Sequence, residues 1–157
     1  MADMTDVRVP RRVPITELCA VERAVNGKTY PKGTCYVTLS AAHDTVMQLA
    51  EDGPIESRYA ALIPKDDLDH KYLKVVLDRA FPRWLMAHRT GINLQYRELG
   101  SLTVEWHDRS EDRRQVVDAV EQVNTLIEGE GETVKQLKEL KQYLLLRMFA
   151  DAREAGA

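Results

Sequence analysis

Seven polar side chains crowd the middle of the chain: Arg79, Arg83, Arg89, Thr90, Asn93, Gln95 and Arg97. Arginine, asparagine and glutamine can make paired hydrogen bonds to guanine and adenine edges in a major groove. A second group, Tyr30, Lys32, Tyr36 and Arg58, adds cationic and aromatic types. Any one of these residues alone would be read as capping a helix end or solvating a loop. Grouped as they are, Lys32, Tyr36, Arg58, Arg83, Arg89, Thr90, Asn93, Gln95 and Arg97 form a candidate set for contacting double-stranded DNA.

Covalent or acid–base chemistry has far less support. There is no glycine-rich phosphate loop, no G-x-S-x-G elbow and no H-E-x-x-H. His43, His70, His88 and His107 are isolated, with no pair at the i,i+3 or i,i+4 spacing of a helical metal site. Asp66, Asp67 and Asp69 before His70 are better explained as negative charge at the start of a helix than as a hard-cation site. The triplet Glu139-Leu140-Lys141 matches a bare E-x-K, but it lies in a helical pattern without the strand such a nuclease motif needs. Cys19 and Cys35 have no histidine close in sequence. The expectation is a protein that is not an enzyme and holds no metal or cofactor.

With 157 residues, 44% hydrophobic and 30% charged, the chain has the composition of a folded protein with one head domain and an appendage. The formal charge of −3 is unevenly placed. Residues 1–109 carry 15 basic and 15 acidic side chains, whereas residues 110–157 carry 7 and 10. A neutral head is not the basic footprint of a strong nucleic-acid binder, although only the contact face has to be positive. No apolar run is long enough to span a membrane, and the N-terminus has no signal-peptide core. Two widely spaced cysteines fit a reducing cytoplasm.

The candidate residues must be held by the elements around them. Residues 1–12, with Arg8, Arg11 and Arg12, read as a flexible arm, and residues 13–109 as the head. Residues 13–24 suit either a helix or a short strand. Asn26-Gly27 and Pro31-Lys32-Gly33 are turn signals around an extended Thr29-Tyr30. Cys35 to Ser40 and Arg58 to Ile63 read as strands, and residues 41–51 between them as loop or weak helix. Asp66, Asp67 and Asp69 lead into a helix that Pro82 kinks or restarts before it ends near Arg89. Tyr96 to Leu99 suits one helical turn, and Leu102 to Trp106 a last strand.

Residues 110–152 are periodic throughout, followed by a tail at 153–157. Val116, Val120, Val123, Ile127, Glu130, Val134, Leu137, Lys141, Leu144 and Met148 follow at alternating steps of four and three. Eight of the ten are apolar, which makes a coiled-coil seam and a dimer or partner interface. Gly129 and Gly131 sit midway. Either the helix runs straight through them, held by a partner, or it folds there into a hairpin; the unbroken register favours the straight rod. The fold class expected is therefore α+β, a small mixed head followed by a long C-terminal coiled-coil helix.

The order of parts resembles one half of a type I restriction-modification specificity subunit. The resemblance rests on Tyr72-Leu73-Lys74-Val75-Val76-Leu77, Thr90-Gly91-Ile92-Asn93-Leu94, a terminal strand, and Gln115-Val116-Val117 opening a helix that ends in Leu137-Lys138-Glu139-Leu140-Lys141-Gln142-Tyr143-Leu144-Leu145. It implies a non-catalytic target-recognition domain followed by a spacer helix, homodimerisation through that helix, and docking of a methyltransferase subunit. The alternative is a scaffold or regulator related to specificity subunits that has lost DNA reading.

Overall fold

The computed structural model describes residues 7–40, 42–88, 91, 94–129 and 134–155, without the side chains of Val134 and residues 150–155. It divides into two compact units, residues 12–104 and residues 1–11 with 105–157.

In the first unit the alternating or continuous apolar runs become strands, β2 (Cys19–Arg23), β4 (Cys35–Thr38), β5 (Val46–Gln48) and β7 (Tyr59–Pro64). They form an antiparallel sheet in the order β2-β7-β4-β5. Register pairs Val37 with Ala60 and with Val46, and Cys35 with Leu62 and with Gln48, so these residues share one face. The 19-residue α2 (His70–His88) continues through Pro82 and is tied to the sheet by Gln48, whose Nε2 donates to the His70 carbonyl at 2.7 Å. On the opposite face Ala24, Tyr30, Ile55 and Ala61 make a second core, with Tyr36, Leu49, Tyr59 and Ile63 packed at its margin. The short strands β3 (Thr29–Tyr30) and β6 (Gly53–Pro54) pair with each other and supply Tyr30. A further pair, β1 (Arg11–Pro14) with β8 (Thr103–Trp106), and a 3-10 helix at Tyr96–Ser101 complete the element list.

Three local expectations change. Residues 13–24 are strand with a single helical turn, α1 (Ile15–Leu18), between β1 and β2. Residues 41–51 contain β5, which the polar composition hid because only Val46 of its three residues is buried. Asp66 and Asp67 precede α2 and do not form its first turn. Asp66 has φ +53°, and the Asp69 carboxylate accepts from the Lys71 and Tyr72 amides as an N-cap.

The second unit is helical. The helical C-terminus stands as expected, but it is not one straight rod. It is α3 (Ser110–Gly129) and α4 (Val134–Ala155), packed against each other. The seam closes on itself: Val116, Val120 and Val123 of α3 are buried, as are Leu145, Met148 and Phe149 of α4. Ile127, Leu137 and Leu144 are half-buried, and the side chain of Val134 lies outside the described residues, as do Glu130 and Gly131. A repeat of four and three cannot by itself tell a helix waiting for a partner from two helices that partner each other, because each arm carries the same stripe.

At the start of α3, Asp112 is almost wholly buried and holds Arg109 through contacts of 2.6 and 2.9 Å. Arg113 donates to the carbonyls of His107 and Asp108, and Arg11 pairs with Asp108 at 2.7 Å. His107, 1% exposed, meets the Phe149 ring edge-on at 5.2 Å.

Burial pushes the His107 imidazole down from 6.5 to about 4; Asp112 and Asp108 draw it up and Arg113 pushes it down. Unfolded chain therefore takes up this proton near pH 6.5, whereas folded chain holds out to about pH 4. Stability should be full above pH 6.5 and fall as the pH drops towards 4, by a total on the order of 3 kcal/mol. Thermal unfolding across that window checks it, and His107→Asn should flatten the slope.

Candidate nucleic-acid interface

The two groups singled out in the sequence meet in part at one end of the main sheet. Tyr36 on β4 and Tyr59 at the start of β7 are edge to face, ring centres 5.1 Å apart. The Arg58 guanidinium lies 4.9 Å from the Tyr59 ring centre. The backbone carries the group onward: the Leu39 amide donates to the Arg58 carbonyl at 3.1 Å, and the Leu94 amide to the Leu39 carbonyl at 2.8 Å. Gln95 follows directly, exposed at the entry to the 3-10 helix, and Arg97 lies exposed within it, its guanidinium 5.9 Å from the Tyr96 ring.

That 3-10 helix is anchored to the C-terminal half of α2. Trp84 Nε1 donates to Ser101 Oγ at 3.0 Å, and Ser101 Oγ donates to the Glu98 carbonyl at 2.8 Å. Arg83, next to Trp84 in sequence, is exposed on α2. Arg89, Thr90 and Asn93 lie outside the described residues.

Lys32 does not join this group. It sits beyond the other end of β4, where its backbone amide donates to the Asp52 carboxylate at 2.7 Å. Tyr30 is fully buried, its hydroxyl donating to Glu22 and accepting from the Val25 amide, so it belongs to the core. Two residues had been missed. Tyr59 lies between Tyr36 and Arg58, and a bare Arg-Tyr dipeptide gave no sign of it. Arg23, exposed at the end of β2, donates to the Ser57 carbonyl at 3.0 Å and so lies beside Arg58.

This end of the sheet offers guanidinium groups, an amide and aromatic rings. Such groups bind phosphate oxygens and base edges, and they do not make an acid–base pair. Burial pushes both cysteine thiols up to about 12, with Lys65 offsetting it slightly at Cys19, so neither is a ready nucleophile. Among the described residues no three His, Cys, Asp or Glu side chains gather as a metal site, and no helix is long and apolar enough to cross a membrane.

No protein-family model matches the sequence, and no curated protein does. Solved structures do match the fold. The type I restriction-modification S subunit from M. genitalium superposes with a TM-score of 0.61 at 13% identity, over 77% of this chain and 43% of that one. A chain from structural work on complex assembly and conformational transition of the type I R-M system gives 0.63 at 18% identity, over 94% and 47%. The HsdS subunit from Thermoanaerobacter tengcongensis gives 0.57 at 20% identity, over 96% and 47%. The chain has a specificity-subunit-like fold. The chain spans less than half the length of these structures. Two of the three matches take in more than nine-tenths of it, so head and helices both enter the specificity-subunit likeness.

Proposed function

We infer that the chain is a non-catalytic DNA sequence-recognition module of a type I restriction-modification system. Side chains at the end of the sheet read the duplex, the C-terminal helices pair with a second copy, and a methyltransferase subunit docks on the assembly. The observation that supports this most is that the specificity-subunit likeness runs through head and helices together while filling about 47% of the matched chain. Two such chains would supply the length of one such subunit.

A scaffold or regulator that has lost DNA reading is favoured by one observation: several of the head's basic side chains, Arg58 of the candidate interface among them, are answered locally. Arg58 lies 3.0 Å from Glu56, Lys28 2.6 Å from Glu22, and Lys74 2.7 Å from Asp78. Salt separates the two readings. If Arg23, Arg58, Arg83 and Arg97 each neutralise a phosphate, log Kobs should fall against log salt with a slope of about −3 to −4. A scaffold shows no measurable affinity at low salt and no slope. Arg58→Ala with Arg97→Ala should reduce the slope by about 2, as read by fluorescence anisotropy on mixed duplexes.

A further inference from the structure

An acid sits among the cationic and aromatic groups at the end of the sheet. Glu56 Oε2 lies 3.0 Å from Arg58 Nε, and the two side chains are 70% and 66% exposed. An exposed pair of this kind contributes little to stability, so either partner can turn to a ligand at small cost. The backbone beneath the pair is fixed without it. The Tyr59 amide donates to the Glu56 carbonyl at 3.1 Å and closes a turn over residues 56–59. The Ser57 amide donates to Asn26 Oδ1 at 3.1 Å, and the Ser57 carbonyl accepts from Arg23 Nε at 3.0 Å. The Ala24 amide donates to the Tyr59 carbonyl at 2.9 Å. Glu56 and Arg58 are thus presented by a turn that depends on neither side chain.

A carboxylate laid against a duplex is repelled by the phosphates unless it meets a hydrogen-bond donor on the DNA. The major groove is the one wide enough to admit a structured turn, and its donors are cytosine N4 and adenine N6. Adenine sets the N7 acceptor beside its amino group, which repels the second carboxylate oxygen, whereas cytosine offers its N4 donor alone. We propose that Glu56 is a specificity-determining residue, its carboxylate accepting from the N4 amino group of one cytosine in the major groove while Arg58 takes a neighbouring phosphate. The Arg58 guanidinium has N–H donors besides Nε with which to do so. A duplex without cytosine at that place leaves the carboxylate unpaired and repelled, so the acid discriminates by penalty as well as by contact. The inference rests on the DNA-recognition reading, and it names the base that one residue of that site selects.

The test is selection of duplexes from a random pool by the full chain, by Glu56→Ala and by Glu56→Gln, followed by anisotropy on the selected duplex with the base pair in question exchanged. The wild type should require C·G at one position of its site and favour it there by about five- to a hundredfold. Glu56→Ala should lose that preference, and Glu56→Gln should give it to adenine, whose N6 and N7 pair with a Gln amide. Both variants should keep the rest of the site and the thermal midpoint, and should bind unrelated duplex more tightly because a negative charge is gone. A selected site that is the same at every position in both variants overturns the proposal; if affinity then falls by one factor on every duplex, Glu56 is only a tether for Arg58. A change confined to a position that is not cytosine in the wild-type site overturns it as well. A wild type that enriches no duplex removes the DNA-recognition reading and this inference together, whereas an enriched site indifferent to Glu56 removes this inference alone.

Discussion

Replacing Phe149 with alanine is expected to cost about 3–5 kcal/mol, the range for emptying a buried aromatic site, and to loosen α4 from α3. Phe149 is wholly buried, and its ring meets His107 at the strand-to-helix junction. It fixes the end of α4 farthest from the break between the helices, where a hairpin otherwise frays. Leu145 and Met148 pack on the same side of the helix, but both retain slight exposure. Met86→Ala on α2 is the control: at 74% exposure it should move stability by no more than about 0.5 kcal/mol. Urea unfolding gives both values, and early proteolytic cutting in α4 of Phe149→Ala would show which element is released.

Gly33→Ala should be the most damaging small change in the head. Gly33 has φ +90°, a left-handed backbone that glycine adopts without strain, and an added Cβ would lie 2.3 Å from the His70 ring at the start of α2. Strain and overpacking together should cost roughly 3 kcal/mol. The junction has little freedom to yield, because the Gly33 carbonyl accepts from Gln48 Nε2, which also holds the His70 carbonyl. Gly27→Ala isolates the backbone part: φ is +84° there, yet nothing lies within 4 Å of the added carbon. About 1 kcal/mol is expected for it. Equal losses at the two positions, measured by chemical denaturation, would mean that the contact with His70 carries no weight.

The elements with dense apolar patterning were legible in the sequence. β4 lies within the expected stretch Cys35 to Ser40, β7 matches Arg58 to Ile63 to within a residue at each end, and α2 lies between the aspartates at 66–69 and Arg89, because each buries a face wide enough to show in one dimension. β5 was not legible. It borrows its stability from β4, and Met47 and Gln48 are only partly covered. The hairpin was open to the sequence as an alternative, but the register argued the other way; what decides for it is contact between residues some twenty-five apart, such as Val120 with Leu145 around one groove. The candidate interface was half legible. Residue type singled out Arg58, Tyr36, Gln95 and Arg97, while the link between them runs through the backbone of Leu39, which has no side-chain signature. Lys32 was grouped with Tyr36 by sequence distance, although a strand separates its ends by its own length.

The central claim, that two copies of this chain hold two heads on one duplex, is tested most directly by footprinting. The protein is used to select duplexes from a random pool, and the best is probed with hydroxyl radicals. The expected result is two protected patches related by two-fold symmetry, with an unprotected spacer of fixed length between them. A single protected patch at saturating protein, or no duplex enriched at all, would contradict the claim.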